Sequence, residues 1–205
     1  MPFTVRLATA GDAEECLAIY TPIVRNTTTS FELEPPTVEE MRERIVRTME
    51  RYLWLVCEST DPVVTGTRRQ TGGKSSEKSG TDEGEIVGYA YATSFRPRPA
   101  YQWNVETTVY VREDSRGRGV GRALYTALFE RLCEQGFRTA LAAIALPNAA
   151  SVAMHERFGF KAVGIFHSSG FKLGRWVDVG WWEKEIQPLA APPALPTLPL
   201  PPRDV

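Results

Sequence analysis

The chain has 205 residues, 42% of them hydrophobic and 24% charged, with a formal net charge of -1. That is the size and balance of one globular domain able to bury a core without disulfides or metals, and its near-neutral charge gives no electrostatic basis for binding nucleic acid. No apolar run approaches the ~20 residues of a membrane-spanning helix, and the N-terminal stretch lacks the apolar centre of a secretory signal, so a cytoplasmic protein without a membrane partner is expected.

Phe3 to Leu7 alternates apolar and polar residues and predicts a strand. Thr9-Ala-Gly-Asp12 follows with the spacing of a helix capping box, and Leu17, Tyr20 and Val24 recur on one face of the helix it opens. A second capping box, Thr37 to Glu40, starts a helix with Val38, Met41 and Ile45 on one side. Tyr52–Cys57 and Glu85–Ala92 read as paired strands. Residues 59–84 lack large apolar side chains and predict a flexible inserted loop. Trp103–Val111 is the next strand and Arg118–Glu134 a helix with Leu124, Ala127, Leu128 and Leu132 on one side. Strand Thr139–Ile144, a short helix from Asn148, and strands near Ala162–His167 and Val177–Ile186 complete a βααβββαβαββ order, a mixed α/β (α+β) chain.

The domain is therefore expected over residues 1–187, with a proline-rich tail over 188–205. The prolines of that tail favour an extended polyproline conformation along the surface, and Pro193 to Pro196 has the spacing of a proline-recognition ligand. Cys16, Cys57 and Cys133 are odd in number and lie in apolar surroundings, which reads as three buried, reduced thiols.

The chemistry concentrates after the strand that ends in Val109-Tyr110-Val111. Arg116-Gly117-Arg118-Gly119-Val120-Gly121-Arg122 alternates glycine with arginine and runs into a helix. Glycines let the backbone approach an anion, the helix N-terminus adds partial positive charge and the arginines add formal charge, so the segment is suited to hold phosphate. A P-loop would need Gly-Lys-Ser/Thr, and the dinucleotide fingerprint would need glycine where Arg122 stands.

Arg116 to Gly121 resembles the pyrophosphate-binding turn of the GNAT superfamily, and Val109-Tyr110-Val111 resembles the strand that pairs with the pantetheine arm of coenzyme A. Asn148 to Phe160 is similar to that superfamily's Asn-x-x-Ala/Ser helix ending in Gly-Phe, whose Asn caps the helix and contacts the cofactor; His155 stands where most members have Tyr. Trp103 to Val111, Leu146-Pro-Asn148, His155-Glu156, Gly170-Phe-Lys172 and Trp176 to Trp182 are together similar to the phosphinothricin N-acetyltransferase family, along nearly the whole chain. The resemblance departs mainly at residues 59–84. It implies the GNAT fold, a mixed and mostly antiparallel sheet flanked by helices, acetyl-coenzyme A as cosubstrate, a homodimer, and acetylation of the amino group of phosphinothricin, methionine sulfoximine or a related small amino acid.

An ammonium must lose a proton before its nitrogen can attack a thioester, and Glu106, in an apolar and hydroxylic strand just ahead of the cofactor segment, is the candidate base. Alternation alone would equally permit a solvent-facing carboxylate there. His155 is the candidate acid for the departing thiolate. Arg96 and Arg98, set between prolines beside Tyr101, form a stiff basic patch suited to a substrate's anionic groups. Two histidines without ligand spacing give no basis for a catalytic metal. Acetylation of another amine or a protein N-terminus, and coenzyme A sensing without turnover, are the competing readings.

Overall fold

The computed structural model describes residues 3–59, 84–189 and 193–199. The loop expected over 59–84 lies outside these residues except at its ends. Ser59, read as its first residue, is instead the last residue of a strand, paired with Phe3 on one side and Glu85 on the other.

Along the chain run β1 (Phe3–Leu7), α1 (Ala13–Asn26), α2 (Val38–Met49), β2 (Trp54–Ser59), β3 (Glu85–Ser94), β4 (Asn104–Val111), α3 (Val120–Glu134), β5 (Thr139–Leu146), α4 (Ala149–Arg157), β6 (Lys161–Lys172) and β7 (Arg175–Glu185). The order is the expected one. Both capping boxes form: the Asp12 carboxylate accepts from Thr9 N at 2.6 Å, and Glu40 accepts from Thr37 N at 2.7 Å while Thr37 Oγ1 accepts from Glu40 N at 3.2 Å. Arg6 also grips Asp12 with two nitrogens, each at 2.8 Å, which fixes β1 to the start of α1.

The strands form one sheet in the order β1-β2-β3-β4-β5-β7-β6. Every pairing is antiparallel except β4 with β5. Helix α3 packs on one face and α1 with α2 on the other. Strand β2 records this in its alternation: Leu55 and Cys57 point into the α3 layer with Leu124, Leu128 and Leu132, whereas Trp54 and Val56 point into the layer of Ile19, Ile23, Met41 and Ile45. Truncating a fully buried residue such as Leu128 to alanine should cost about 2–5 kcal/mol.

Three expectations are corrected. The buried face of α1 is Cys16, Ile19, Tyr20, Ile23 and Val24, with Leu17 only partly covered, because the helix packs slightly rotated from the predicted stripe. Cys133 is exposed, near the C-terminal end of α3, while Cys16 and Cys57 are buried and their thiols are pushed up to about 12 by desolvation. Strand β6, expected to end at His167, continues to Lys172 past an irregularity between Phe166 and Gly170.

Candidate active site

The parallel pairing of β4 with β5 runs only from Asn104↔Thr139 to Glu106↔Leu141. Beyond it Thr107–Val111 stays with β3 and Ala142–Leu146 with β7, so the two strands splay and the sheet opens between them. A cavity of about 390 Å³ occupies the opening. Its walls include Glu106, Thr107 and Val109 from β4, Ala143 and Ala145 from β5, His155 from α4 and Asn148, the residue before α4.

Alternation along β4 gives the cavity two sides. Val105 and Thr107 face the α3 layer, and Glu106 and Tyr110 face the α1 layer, where Tyr110 packs with Tyr20 and Tyr89. The opening thus joins the two faces of the sheet at Glu106. Removal from water raises the Glu106 pKa above its ordinary 4.5, and the charge of Arg96 partly offsets that rise.

On the α3 side, Tyr125 and His155 are both buried in the cavity wall, with their side chains 2.9 Å apart from Tyr125 oxygen to His155 Nε2. His155 Nδ1 lies 2.8 Å from the Ser151 carbonyl oxygen. A carbonyl can only accept, so Nδ1 carries the hydrogen and Nε2 of the neutral ring accepts from the Tyr125 hydroxyl. Burial lowers the His155 pKa from 6.5, against the opposing effect of the Ser151 carbonyl, and burial raises that of Tyr125 above 10. At neutral pH the pair holds a neutral imidazole and a protonated phenol.

The glycine–arginine turn enters α3 beside this wall. Gly119 is the N-terminal cap of α3 at φ 96°, a left-handed conformation that side chains with Cβ resist, and Gly117 is at φ 74°. Gly121 sits under α4, where an added Cβ would come within 3.1 Å of Met154 Sδ. Arg116 and Arg118 donate through Nε to the carbonyls of Val111 and Asp114, each at 3.3 Å, anchoring their stems to the turn. Asn148 caps α4 by accepting from Ser151 N at 3.1 Å and also lines the cavity.

The predicted residues thus divide. Glu106, Val109, Tyr110, Asn148 and His155 share the cavity, with the turn Arg116–Arg122 adjoining it and Val111 packed toward α3. Arg96, Arg98 and Tyr101 do not line it. Arg96 is exposed above the Phe95 ring, 4.9 Å from its centroid, and Arg98 precedes a short turn, Pro99–Tyr101, at the surface. The patch reaches the cavity wall through the edge contacts Tyr101–Phe95 and Phe95–Trp181, and through the charge of Arg96 acting on Glu106. Sequence reading missed Tyr125, which looked like one more residue of an apolar helix face, and Thr29, Ser30 and Phe31, which line the cavity from the α1–α2 connection. Lys172 Nζ donates to the Ser30 carbonyl at 2.6 Å, and the Phe31 ring packs so closely on Gly170 that an added Cβ would come within 2.4 Å of it. Among the described residues no group of three or more His, Cys, Asp or Glu side chains could hold a metal ion.

A splayed sheet with a positive-φ glycine turn at a helix start, leading to a cavity that carries a desolvated carboxylate, defines an acyl-transferring enzyme of one particular fold. The sequence matches the Acetyltransferase (GNAT) domain over residues 78–181, and the chain belongs to the GNAT acetyltransferase family. It is an acetyltransferase that uses acetyl-coenzyme A. It is similar to the phosphinothricin N-acetyltransferase of Streptomyces viridochromogenes, 36% identical over 192 residues that cover 94% of this chain and 92% of the relative. The L-methionine sulfoximine/L-methionine sulfone acetyltransferase of Pseudomonas aeruginosa is 33% identical over 193 residues, covering 94% of this chain and all of the relative. A solved structure of a phosphinothricin acetyltransferase from Sinorhizobium meliloti in complex with AcCoA matches with a TM-score of 0.79 at 31% identity, over 96% of this chain and 94% of that one.

Proposed function

We propose that the protein acetylates the amino group of phosphinothricin, methionine sulfoximine or a related small amino acid, by direct attack while both substrates are bound, and that it works in the cytoplasm as a homodimer. The observation that carries this reading is the cavity joining the two faces of the sheet, with Glu106 on one side and the Tyr125–His155 pair on the other. The names of the relatives supply the substrate class.

The residues around the opening fit acetyl-coenzyme A. The turn Arg116–Arg122 and the α3 N-terminus suit its pyrophosphate, the backbone of Val109–Val111 that turns away from β5 suits its pantetheine arm, and Asn148 stands at the cavity beside both. When bound, acetyl-coenzyme A supplies an acetyl thioester whose carbonyl carbon is the electrophile. Glu106 accepts a proton from the substrate ammonium, aided by a pKa above the usual carboxylate range. As nitrogen bonds to the carbonyl carbon, the carbon–sulfur bond breaks and sulfur needs a proton or a hydrogen bond. The hydrogen read for this step is that of the Tyr125 hydroxyl, which rests on His155 Nε2 and would turn from it to sulfur, since His155 is neutral and its Nδ1 hydrogen is held by the Ser151 carbonyl. His155 is therefore read as the positioning partner of Tyr125 in a shared acid role. Of the predicted anion-binding residues, Arg96 acts electrostatically on Glu106 and is the one best placed for a substrate's acidic group.

Strand β6 supports the homodimer. It is a sheet edge, and it exposes Val163, Ile165 and Phe166, continued at the hairpin by Phe171, Leu173 and Trp176. A second copy of the chain is the partner read for this face, tested by sedimentation of the wild type against Ile165→Lys.

Release of free thiol from acetyl-coenzyme A tests the whole reading. Turnover is expected with phosphinothricin, methionine sulfoximine and methionine sulfone. Turnover with peptide N-termini alone would replace the substrate class, and no turnover with any amine would favour a coenzyme A sensor.

A further inference from the structure

Residues 193–199 of the proline-rich tail lie against the body at the end of the sheet where β4 begins. The Trp103 indole Nε1 donates to the Ala194 carbonyl at 2.7 Å, and Gln135 Nε2 donates to the Thr197 carbonyl at 3.0 Å. In return, Thr197 N donates to the Gln135 carbonyl at 2.8 Å. Between these contacts the tail crosses Gly136, with Pro196 Cα 3.7 Å from the site of its missing Cβ.

The sequence of the segment, Pro-Ala-Leu-Pro-Thr-Leu-Pro, repeats every three residues. Three residues is the period of the polyproline helix, which makes no internal hydrogen bonds and so offers its carbonyls to outside donors. Pro193, Pro196 and Pro199 hold φ near -65° at every third position. The carbonyls of Ala194 and Thr197 meet the body and Pro196 and Pro199 are the segment's half-buried residues, while Leu195 and Leu198 face outward, each 66% exposed. The two donors on the body are therefore spaced for one turn of such a helix. An indole N–H beside a buried amide is also the kind of donor set that reads extended proline-rich chains.

We propose that Trp103, Gln135 and Gly136 form a docking groove for a polyproline segment, bonded through carbonyls three residues apart with a proline between them over Gly136, and that this chain's own tail occupies it. The groove joins the C-terminal end of α3 to the residue before β4. Trp103 also accepts at its carbonyl from Arg138 N at 2.8 Å, next to the short parallel pairing Asn104↔Thr139 to Glu106↔Leu141. A docked tail thus clamps the root of the strand that carries Glu106.

The test uses the full chain and nuclear magnetic resonance of two signals, the Thr197 amide and the Trp103 indole N–H. In the wild type the Thr197 amide should exchange with solvent at least about tenfold more slowly than an unstructured threonine, as expected for a hydrogen bond that must open first. Trp103→Phe and Gln135→Ala should remove most of that protection, and Leu195→Ser, on the outward face, should leave it unchanged. Thr197→Pro keeps the polyproline preference but deletes the amide donor, so it should release the tail and shift the Trp103 indole signal. Adding a synthetic peptide of residues 192–200 to that variant should then restore the wild-type indole position in a saturable way. An unprotected Thr197 amide in the wild type would overturn the groove. Released tails with no saturable response to the peptide would overturn it equally, leaving an incidental surface contact.

Discussion

Tyr125 and His155 face each other across 2.9 Å, and the Ser151 carbonyl on the far side of the imidazole decides which of the two carries the shared hydrogen. Tyr125→Phe keeps the aromatic packing against Phe129, Phe158 and Phe160 and removes only the hydroxyl. Turnover should fall about 10²-fold, the lower end of the range for loss of an acid–base group, with coenzyme A affinity unchanged in a direct binding measurement. An unaltered kcat would return the phenol to a packing role.

The same pair predicts a pH dependence of stability. In the unfolded chain His155 takes up a proton near 6.5, whereas burial lowers its folded pKa, so below 6.5 the unfolded state binds more protons and stability falls with pH. Glu106 has the opposite sign, because its raised folded pKa removes stability as pH rises through it. Melting temperatures from pH 7 down to 5 should therefore decline less steeply in His155→Gln than in the wild type, and more steeply in Glu106→Gln. Parallel slopes in all three proteins would contradict both assignments.

Glu106→Gln should lower turnover by roughly 10²- to 10⁴-fold at neutral pH, the usual cost of removing a general base. In the wild type the acid limb of kcat/KM should lie above the ordinary carboxylate value of 4.5. Arg96 opposes the desolvation of Glu106, so Arg96→Ala should move that limb to still higher pH. A limb that stays in place would show that the Arg96 charge is screened by water.

Gly119→Val places a branched side chain at φ 96° in the cap of α3. Holding that conformation should cost about 1–3 kcal/mol, and the distorted turn should weaken coenzyme A binding at least about fivefold in calorimetry. Equal affinity in a folded variant would detach this turn from the pyrophosphate.

Lys172→Met removes the donor that holds the Ser30 carbonyl and should loosen the Thr29–Phe31 wall of the cavity. KM for the amine should rise about 3- to 30-fold, a part of the roughly 10- to 150-fold that one charged hydrogen bond carries because this one acts through the wall, while coenzyme A affinity holds. Equal losses toward both substrates would point to a general folding defect.

What could be read beforehand was local. The turn Arg116–Arg122 declares itself because glycine adopts the φ values at 117 and 119 without strain, and Asn148 because a cap bonds three residues ahead. Glu106 was legible as a charge within an otherwise uncharged strand. Tyr125 was not, since a phenol among Leu124, Leu128 and Leu132 has the pattern of core until α4 brings His155 to its hydroxyl. Arg98 and Tyr101 had the right chemistry in sequence, but the turn Pro99–Tyr101 carries them away from the opening. The exposure of Cys133 likewise depends on how α3 is rotated against the sheet, which its own stripe of leucines leaves loosely defined.

The bond from Lys172 to Ser30 spans 142 positions of the chain, and Phe31 reaches its seat on Gly170 over nearly as many. On a ribosome, where residues emerge at about 5–20 per second and N-terminal segments come first, α1 and α2 are made well before the hairpin that fastens their connection. The wall formed by Thr29–Phe31 is thus the last part to be fastened, after β4, α3 and α4 have all emerged. A nascent chain halted before β6 would carry the glycine–arginine turn and both helices of the N-terminal layer, yet have nothing to hold Ser30 and Phe31 at the cavity.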